Sequence, residues 1–306
     1  MNKPTTVIVD FSVCVHQLNN ALNVIGLEKE YRKAAVQANM AYLGSGRWVE
    51  QLIGHKEYNM IYTKDSKPYW RTEYLLQEDV YNGIAERAFA TYKEKYPKGR
   101  KAYKPVAIHY KGGRKLPNSD FTTTKRRMLI CAERNEFNML GFHGYEADDL
   151  AAALVMTNRM LPVNDQREIV LATVDTDWMG LVDKNVTWMC SKGYEPRIRH
   201  TMEHINEWSL RRLGTNLTCP SDIWKVKTIK GDSSDNLPPG SPIEVIDLTT
   251  PPVQHRLWLD REKAPLLRTL LKSEPNQVDP DKTANALNYL RQLGMNPFIK
   301  PYNKDH

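Results

Sequence analysis

The stretch Thr5-Thr-Val-Ile-Val-Asp10 places β-branched residues directly before a carboxylate, which is typical of a buried strand with a functional group at its end. Ser12 follows as the predicted N-cap of a helix that runs to Val24. Three further strands are predicted from similar runs: Tyr58–Thr63, Asn138–Phe142 and Glu168–Val174. Because helical segments separate these strands, the sequence predicts an α/β fold with a mainly parallel central sheet flanked by helices.

Acidic residues stand at or just beyond the predicted strand ends. They are Asp10, Asp65, Glu146, Asp148, Asp149, Asp175 and Asp177. The carboxyl ends of parallel strands form one edge of a sheet, so we expect these side chains to converge. Converging carboxylates repel one another unless cations lie between them, and oxygen ligands without nearby His or Cys favour Mg²⁺ or Mn²⁺. For Asp149, which opens a helix, an ordinary capping role is the alternative.

Length and composition are those of a soluble globular chain. The 306 residues are 41% apolar and 26% charged, and the longest apolar run, Leu150–Met156, is far shorter than the ~20 residues of a membrane span. The carboxylate at Asp10 argues against a signal peptide, so we expect a cytoplasmic protein. The four cysteines are far apart without a CxxC pair, which argues against a zinc ribbon or a disulfide framework.

Basic residues are concentrated in one segment. Lys93–Arg127 holds twelve lysines and arginines against two acidic residues, a surplus of ten, whereas the whole chain carries a net charge of +7. Residues 73–127 also contain several prolines and glycines, so we interpret them as a basic insertion outside the sheet. A surplus of this kind favours an anionic partner.

Five blocks of the sequence, taken in order, resemble the flap endonuclease and 5′→3′ exonuclease family of the PIN-like nucleases, and most resemble phage-encoded 5′ nucleases of the RNase H type. The blocks are Val7-Ile-Val-Asp10, the isolated Asp65, Gly144-Tyr-Glu-Ala-Asp-Asp149, Val174-Asp-Thr-Asp177 and Ile229-Lys-Gly-Asp-Ser-Ser-Asp-Asn236. They span residues 7 to 236.

The resemblance implies two divalent ions, Mg²⁺ or Mn²⁺. The first would be held by Asp10, Asp65, Glu146 and Asp148. The second would be held by Asp148, Asp175, Asp177 and, more remotely, Asp232 or Asp235. Two such ions activate a water and stabilise the leaving oxygen of a phosphodiester, so no protein nucleophile is required. Among these ligands, Asp148 and Asp175 are the predicted catalytic carboxylates.

Contacts to nucleic acid are also implied by the resemblance. Tyr110-Lys-Gly-Gly-Arg114 is similar to a family motif whose lysine and arginine contact the scissile phosphate, so Lys111 and Arg114 are predicted to be catalytic. A turn with solvated bases is the alternative. Arg71 is a lesser candidate, and nearly forty residues separate it from Tyr110, where compact phage relatives have only a few.

Two further basic segments are predicted to contact the backbone of nucleic acid. Lys125-Arg-Arg127 would fall in the arch that these enzymes raise over the active site, with a solvated helix end as the alternative. Lys230 precedes Gly231–Asn236, which resembles the start of the helix-three-turn-helix element that grips duplex DNA. In many relatives a glycine hairpin follows this block and holds K⁺. This chain has only Gly240 for such a hairpin, which argues against a potassium site.

The sequence therefore predicts a PIN-like nuclease domain over residues 1–200, with the basic insertion at 73–127, and a helical DNA-binding region over residues 201–306. The expected substrates are DNA and RNA·DNA hybrids with 5′ ends or 5′ flaps. Removal of RNA primers during phage DNA replication would follow from such an activity.

Two alternatives to this function stay open. A PIN-like endoribonuclease shares the acidic cluster, but the Gly231–Asn236 block and the basic insertion disfavour it. A non-catalytic nucleic-acid-binding protein has no need of an acidic pocket that repels phosphate. We expect a monomer without membrane contacts, in the host cytoplasm if it is phage-encoded, and a single-strand-binding or clamp protein is a further candidate partner.

Overall fold

The computed structural model describes residues 4–295, apart from residues 56, 77–109, 112–117, 191–197, 215, 233, 236, 238 and 274–279. Most of the basic insertion, including Arg114, lies outside the described residues, whereas Tyr110, Lys111 and residues 118–127 lie within them. In the described part of the chain, no helix is both long enough and apolar enough to cross a membrane.

Within the described residues, six strands form one central sheet. They are β1 (Thr5–Asp10), β2 (Tyr58–Thr63), β3 (Met139–Leu140), β4 (Glu168–Ala172), β5 (Val186–Cys190) and β6 (Ile198–His200). The strand order is β3-β2-β1-β4-β5-β6, so β1 lies between β2 and β4. The first five strands are parallel, and β6 pairs antiparallel with β5 at one edge. The predicted α/β fold with a mainly parallel sheet is confirmed.

The sheet differs from the prediction at its edges. β5 and β6 were not predicted, although β5 is rich in the β-branched and aromatic residues that favour strands. The third strand is only two residues long, because pairing with β2 involves Met139 and Leu140 alone. The fourth strand ends at Ala172, and the next side chain, Thr173, bonds to Asp10 and to the backbone of Asp175 at the site edge.

Helices cover both faces of the sheet. In chain order they are α1 (Phe11–Val24), α2 (Lys29–Ser45), α3 (Arg47–Ile53), α4 (Trp70–Leu76), α5 (Ser119–Arg134), α6 (Ala147–Arg159), α7 (Met202–Leu213), α8 (Asp222–Lys230), α9 (Ile243–Ile246), α10 (Val253–Leu257), α11 (Ala264–Leu271) and α12 (Pro280–Gln292). A 3₁₀ segment covers Thr176–Leu181, and a π-helical segment, Trp258–Lys263, joins α10 to α11.

The alternation of side chains along β1 separates two buried cores. Val7 and Val9 face the core formed with α1 and α2, whereas Ile8 faces the core formed with α6. The C-terminal helices contribute to both, since α11 packs against α6 and α12 packs against α2. Leu271 is buried in the first of these contacts and Leu290 in the second. The domain boundary near residue 200 stays a prediction.

Two helices begin earlier than the sequence pattern predicts, and both starts bring acidic groups to the site. The N-cap of α1 is Asp10 rather than Ser12, because the Asp10 carboxylate accepts hydrogen bonds from the Ser12 and Val13 N–H groups. Helix α6 begins at Ala147, two residues before Asp149, which the sequence predicts to open it, and Asp149 Oδ2 accepts a hydrogen bond from the Glu146 N–H at 2.9 Å.

Candidate metal centre

Two carboxylates are held at the ends of the central strands. Asp10 ends β1, and its Oδ2 accepts a hydrogen bond from Thr173 Oγ1 at 3.0 Å. Asp65 lies two residues beyond β2, and its Oδ1 accepts a hydrogen bond from the Ala147 N–H at 2.9 Å, which joins this strand end to the start of α6. Burial, together with the charges of Asp65 and Asp175, raises the pKa of Asp10 to about 7.

Five further carboxylates form two overlapping groups. Oxygens of Asp148, Asp175 and Asp177 lie within 4.8 Å of one another, and so do oxygens of Asp177, Asp232 and Asp235. Asp177 belongs to both groups and therefore joins them into one acidic cluster. The structure thus brings together residues that are up to 87 positions apart in the sequence. Asp148, Asp175 and Asp177 come from the segments after β3 and β4, as the convergence of strand ends predicts, whereas Asp232 and Asp235 come from the segment after α8.

Burial and mutual repulsion act on this acidic cluster. Burial, followed by the charge of Asp175, raises the pKa of Asp148 well above its ordinary value, although Trp178 Nε1 donates a hydrogen bond to Asp148 Oδ1 at 2.8 Å. Burial also raises the pKa of Asp177 to about 7, against the opposing charge of Lys227 and with the added repulsion of Asp175. A cation between these groups would relieve the repulsion and favour their charged forms.

Glu146 lies beside the acidic cluster and is held by three side chains. Its Oε2 accepts hydrogen bonds from Tyr110 Oη at 2.7 Å and from Arg71 Nη1 at 3.0 Å, and Lys111 Nζ contacts its Oε1. Burial alone would raise the pKa of Glu146, but the charges of Lys111 and Arg71 lower it. The Lys111 N–H donates to the Asp235 carbonyl at 2.9 Å, so this short segment spans both sides of the cluster.

Arg71 and Asp149 form a buried ion pair behind the cluster. Arg71 Nη2 lies 2.8 Å from Asp149 Oδ1, and Arg71 Nη1 lies 2.8 Å from Asp149 Oδ2. Asp149 also accepts a hydrogen bond from Trp70 Nε1 at 3.1 Å, and the side chain of Arg71 is only 2% exposed. This placement gives both residues a positioning role for Glu146; a metal contact by Asp149 and a nucleic-acid contact by Arg71 stay predictions without a supporting contact here.

Lys227 is a site residue that the sequence analysis missed. Its ammonium lies 2.7 Å from Asp232 Oδ2 and also contacts Asp177 Oδ1. The sequence analysis chose Lys230, because it adjoins the glycine block, but Lys230 is exposed at the end of α8. Lys227 lies about one helical turn before Lys230, so the 3.6-residue period alone does not distinguish the two lysines.

The remaining predicted nucleic-acid residues lie partly outside the described chain. Arg114 belongs to the residues that the structure does not describe. Arg126 is exposed on α5, and the neighbouring Lys125 and Arg127 are half-buried. Tyr110 is buried and donates a hydrogen bond to Glu146, with Asp235 Oδ2 at 3.2 Å, so it orients acidic groups. Direct contact of these side chains with nucleic acid stays a prediction.

The donors of the acidic cluster fit a hard divalent cation. Both groups consist of carboxylates alone, the ligand type that Mg²⁺ and Mn²⁺ prefer over imidazole or thiolate. A small cleft opens onto the same groups and is lined by, among others, Asp148, Asp177, Asp232 and Asp235.

Comparison with known proteins points to one family. A "5'-3' exonuclease" of Mycoplasmopsis pulmonis is 30% identical over 129 residues, which are 42% of this chain and 38% of that protein. A DNA polymerase I of Caldicellulosiruptor bescii is 30% identical over 152 residues, which are 46% of this chain and 16% of that polymerase. The aligned regions thus span less than two fifths of either relative. No family profile matches the chain.

Solved structures that align with most of the chain have low sequence identity to it. A T5 5′-exonuclease with bound zinc aligns over 96% of this chain and 95% of its own, with a TM-score of 0.47 and 15% identity. A bacteriophage T5 flap endonuclease in a complex with DNA and metal ions aligns over 96% and 95%, with a TM-score of 0.45 and 16% identity. The curated exonuclease relative, at 30% identity over 129 residues, confirms the predicted resemblance to the flap endonuclease and 5′→3′ exonuclease family.

Proposed function

We propose that the protein is a metal-dependent 5′ nuclease that hydrolyses phosphodiesters from a 5′ end and cuts 5′ flaps. The carrying observation is the acidic cluster at the carboxyl ends of the central strands, whose oxygen donors lie within 4.8 Å of one another in two groups that share Asp177. The curated relative named as a 5′-3′ exonuclease supports the same activity. Hydrolysis by this cluster requires no nucleophilic side chain.

Divalent ions, Mg²⁺ or Mn²⁺, would be held by the carboxylates of this edge and would activate a water and stabilise the leaving oxygen. In this proposal Asp148 and Asp175 are the central ligands, because they stand between the strand-end carboxylates and Asp177. Asp10 and Asp65 would add ligands at the ends of β1 and β2, and each accepts a hydrogen bond from a neighbouring segment. Glu146 adds a carboxylate whose orientation is fixed by the chain's own cations.

Lys111 is the proposed contact to the scissile phosphate. Its side chain is 13% exposed at the mouth of the acidic cluster, and the charges of Glu146 and Asp235 raise its pKa against the effect of burial, so it is positively charged. Its left-handed backbone, with φ of +57°, is held by the bond to the Asp235 carbonyl. An incoming phosphate oxygen would share this ammonium with Glu146, which stabilises charge at the reacting group.

The substrate is proposed to be DNA or an RNA·DNA hybrid with a free 5′ end or flap. Support comes from the surplus of ten positive charges over Lys93–Arg127 and from the relatives' names. In this proposal Lys125–Arg127 and Arg114 attract the strand through its phosphates, and residues 201–306 contact the duplex. Removal of RNA primers in a replicating phage, by a monomer in the host cytoplasm, is the setting that we propose.

A 5′-labelled flap substrate tests the proposed function. We expect cleavage with Mg²⁺ or Mn²⁺ and none with EDTA. Short labelled products would indicate stepwise removal from the 5′ end, and one long labelled product would indicate flap cutting near the junction. Binding without metal-dependent cleavage would overturn the proposal and leave a non-catalytic binding protein, and cleavage of single-stranded RNA alone would favour the endoribonuclease.

A further inference from the structure

Lys227 lies inside the acidic cluster rather than at its rim. Its side chain is 15% exposed, its Nζ is 2.7 Å from Asp232 Oδ2, and it also contacts Asp177 Oδ1. These two carboxylates and Asp235 form one of the two groups of the acidic cluster, which we call the outer group. Asp148, Asp175 and Asp177 form the inner group. An ammonium therefore stands where a second cation would be held.

Packing of α8 fixes the position of this lysine. Trp224, one turn before Lys227, is 3% exposed and donates a hydrogen bond from Nε1 to the Asp177 carbonyl at 3.1 Å. A side chain on Gly180 could not be accommodated, because a Cβ there would lie 2.5 Å from the Trp224 ring. Helix α8 is thus tied to the 3₁₀ segment that carries Asp177, and this packing directs Lys227 toward the carboxylates.

Lys227 compensates part of the negative charge in this part of the site without a metal. Burial by itself would lower the pKa of Lys227, but the charges of Asp177 and Asp232 raise it, so the ammonium is retained. The same interaction lowers the pKa of Asp232 against the effect of burial. The inner group differs, because Asp148 has Asp175 beside it and its pKa is raised by burial and by that neighbour.

We propose that Lys227 is a tethered cation of the outer group, so that a divalent ion held by Asp177, Asp232 and Asp235 must displace its ammonium. An ion held by Asp148 and Asp175 need not do so. This proposal rests on the proposed metal-dependent function of the cluster, and it makes one prediction of its own: the protein binds two ions with unequal affinity, and Lys227 sets the weaker one.

Calorimetric titration with Mn²⁺ alone, without nucleic acid, tests this role. Wild type should bind one ion tightly and a second about tenfold or more weakly, because the second must displace a positive charge at close range. Lys227→Met removes the charge and keeps an unbranched chain, so the second ion should bind about tenfold or more tightly than in wild type. Lys225→Met, on the exposed side of the same helix, is the matched control and should match wild type.

Two further variants at the same position keep the test valid even if Lys227→Met fails to fold. Lys227→Gln can still donate hydrogen bonds to both carboxylates and should also tighten the second ion. Lys227→Arg keeps the charge and should leave the second ion weak. A second affinity in Lys227→Met and Lys227→Gln within about twofold of wild type would overturn the proposal. Because no nucleic acid is present, that result is distinct from a failure of flap cleavage, which would overturn the proposed function instead.

Discussion

Replacing Arg71 tests whether this residue organises the site from within or contacts the substrate. Arg71 bonds to two carboxylates, Glu146 and Asp149, and its Nε donates to the Val245 carbonyl at 2.9 Å. The three charged side chains are between 1% and 3% exposed. Arg71→Met fills a similar volume but removes the guanidinium that pairs with Asp149 and one of the two cations that contact Glu146.

The expected loss of stability is large. Removing one partner of a buried ion pair costs about 3–5 kcal/mol, because the remaining charge stays away from water without compensation. Asp149 retains the Trp70 Nε1 and Glu146 N–H donors and Glu146 retains Lys111, so we expect a value near the lower end of that range. Urea denaturation in EDTA, followed by tryptophan fluorescence, measures the change in the free energy of unfolding.

Arg256→Met is the control, because Arg256 is 55% exposed and lies 4.0 Å from Asp260 in an i, i+4 pair. Exposed pairs of this kind contribute about 1 kcal/mol or less. If Arg71→Met changes the free energy of unfolding no more than this control, while affinity for a flap substrate falls sharply, then Arg71 contacts nucleic acid and the buried ion pair is not the reason for its placement.

Three further outcomes are expected. Lys111→Ala should lower the single-turnover cleavage rate about 10²-fold or more and weaken substrate binding far less, since a group that stabilises developing charge acts mainly in the transition state. Replacing Lys125, Arg126 and Arg127 together by Gln should weaken binding to all sequences and flatten its salt dependence, by a slope of about 0.9 for each lost duplex contact or about 0.7 for each single-strand contact. Without metal, the free energy of unfolding contributed by Asp10 should fall as the pH rises from 3.8 to about 7, because its folded-state pKa is raised and the folded protein keeps a proton that the unfolded chain has lost.

Each of these outcomes has a contrary result. Equal losses of rate and affinity in Lys111→Ala would place this lysine in ground-state binding alone. An unchanged salt slope in the triple variant would remove α5 from the nucleic-acid interface. The same change of stability between pH 4 and pH 7 in Asp10→Asn as in wild type would contradict the raised pKa of Asp10.

The centre of the fold follows from the sequence, because each central strand is a continuous run of buried residues. Thr5–Asp10 and Tyr58–Thr63 form strands at the predicted bounds. β5 and β6 were not predicted, because the predicted strands are those that end near an acidic residue and no carboxylate directly follows these two. Residue type favours Ser12 as the N-cap of α1. In the structure, however, the Asp10 carboxylate accepts hydrogen bonds from the first N–H groups of this helix.

The sequence predicts the acidic side chains of the candidate site better than the basic side chains that pair with them. Asp10, Asp148 and Asp175 stand at or after the ends of predicted strands. This position alone places them at one edge of the sheet, and no knowledge of side-chain contacts is needed. The partners of a buried charge depend on tertiary packing, so the sequence did not show that Arg71 turns inward. For the same reason it did not show that Lys227, rather than Lys230, reaches the acidic cluster.

The most direct test of the account compares cleavage and binding in Asp148→Asn and Asp175→Asn. Both variants keep the size of the side chain and remove one negative charge from the inner group of carboxylates. With Mg²⁺ and a labelled 5′-flap substrate, we predict that both variants lose turnover while they bind the substrate at least as tightly as wild type, since repulsion of phosphate is relieved. Cleavage by both variants at the wild-type rate would contradict the assignment of this acidic cluster as the centre of a metal-dependent nuclease.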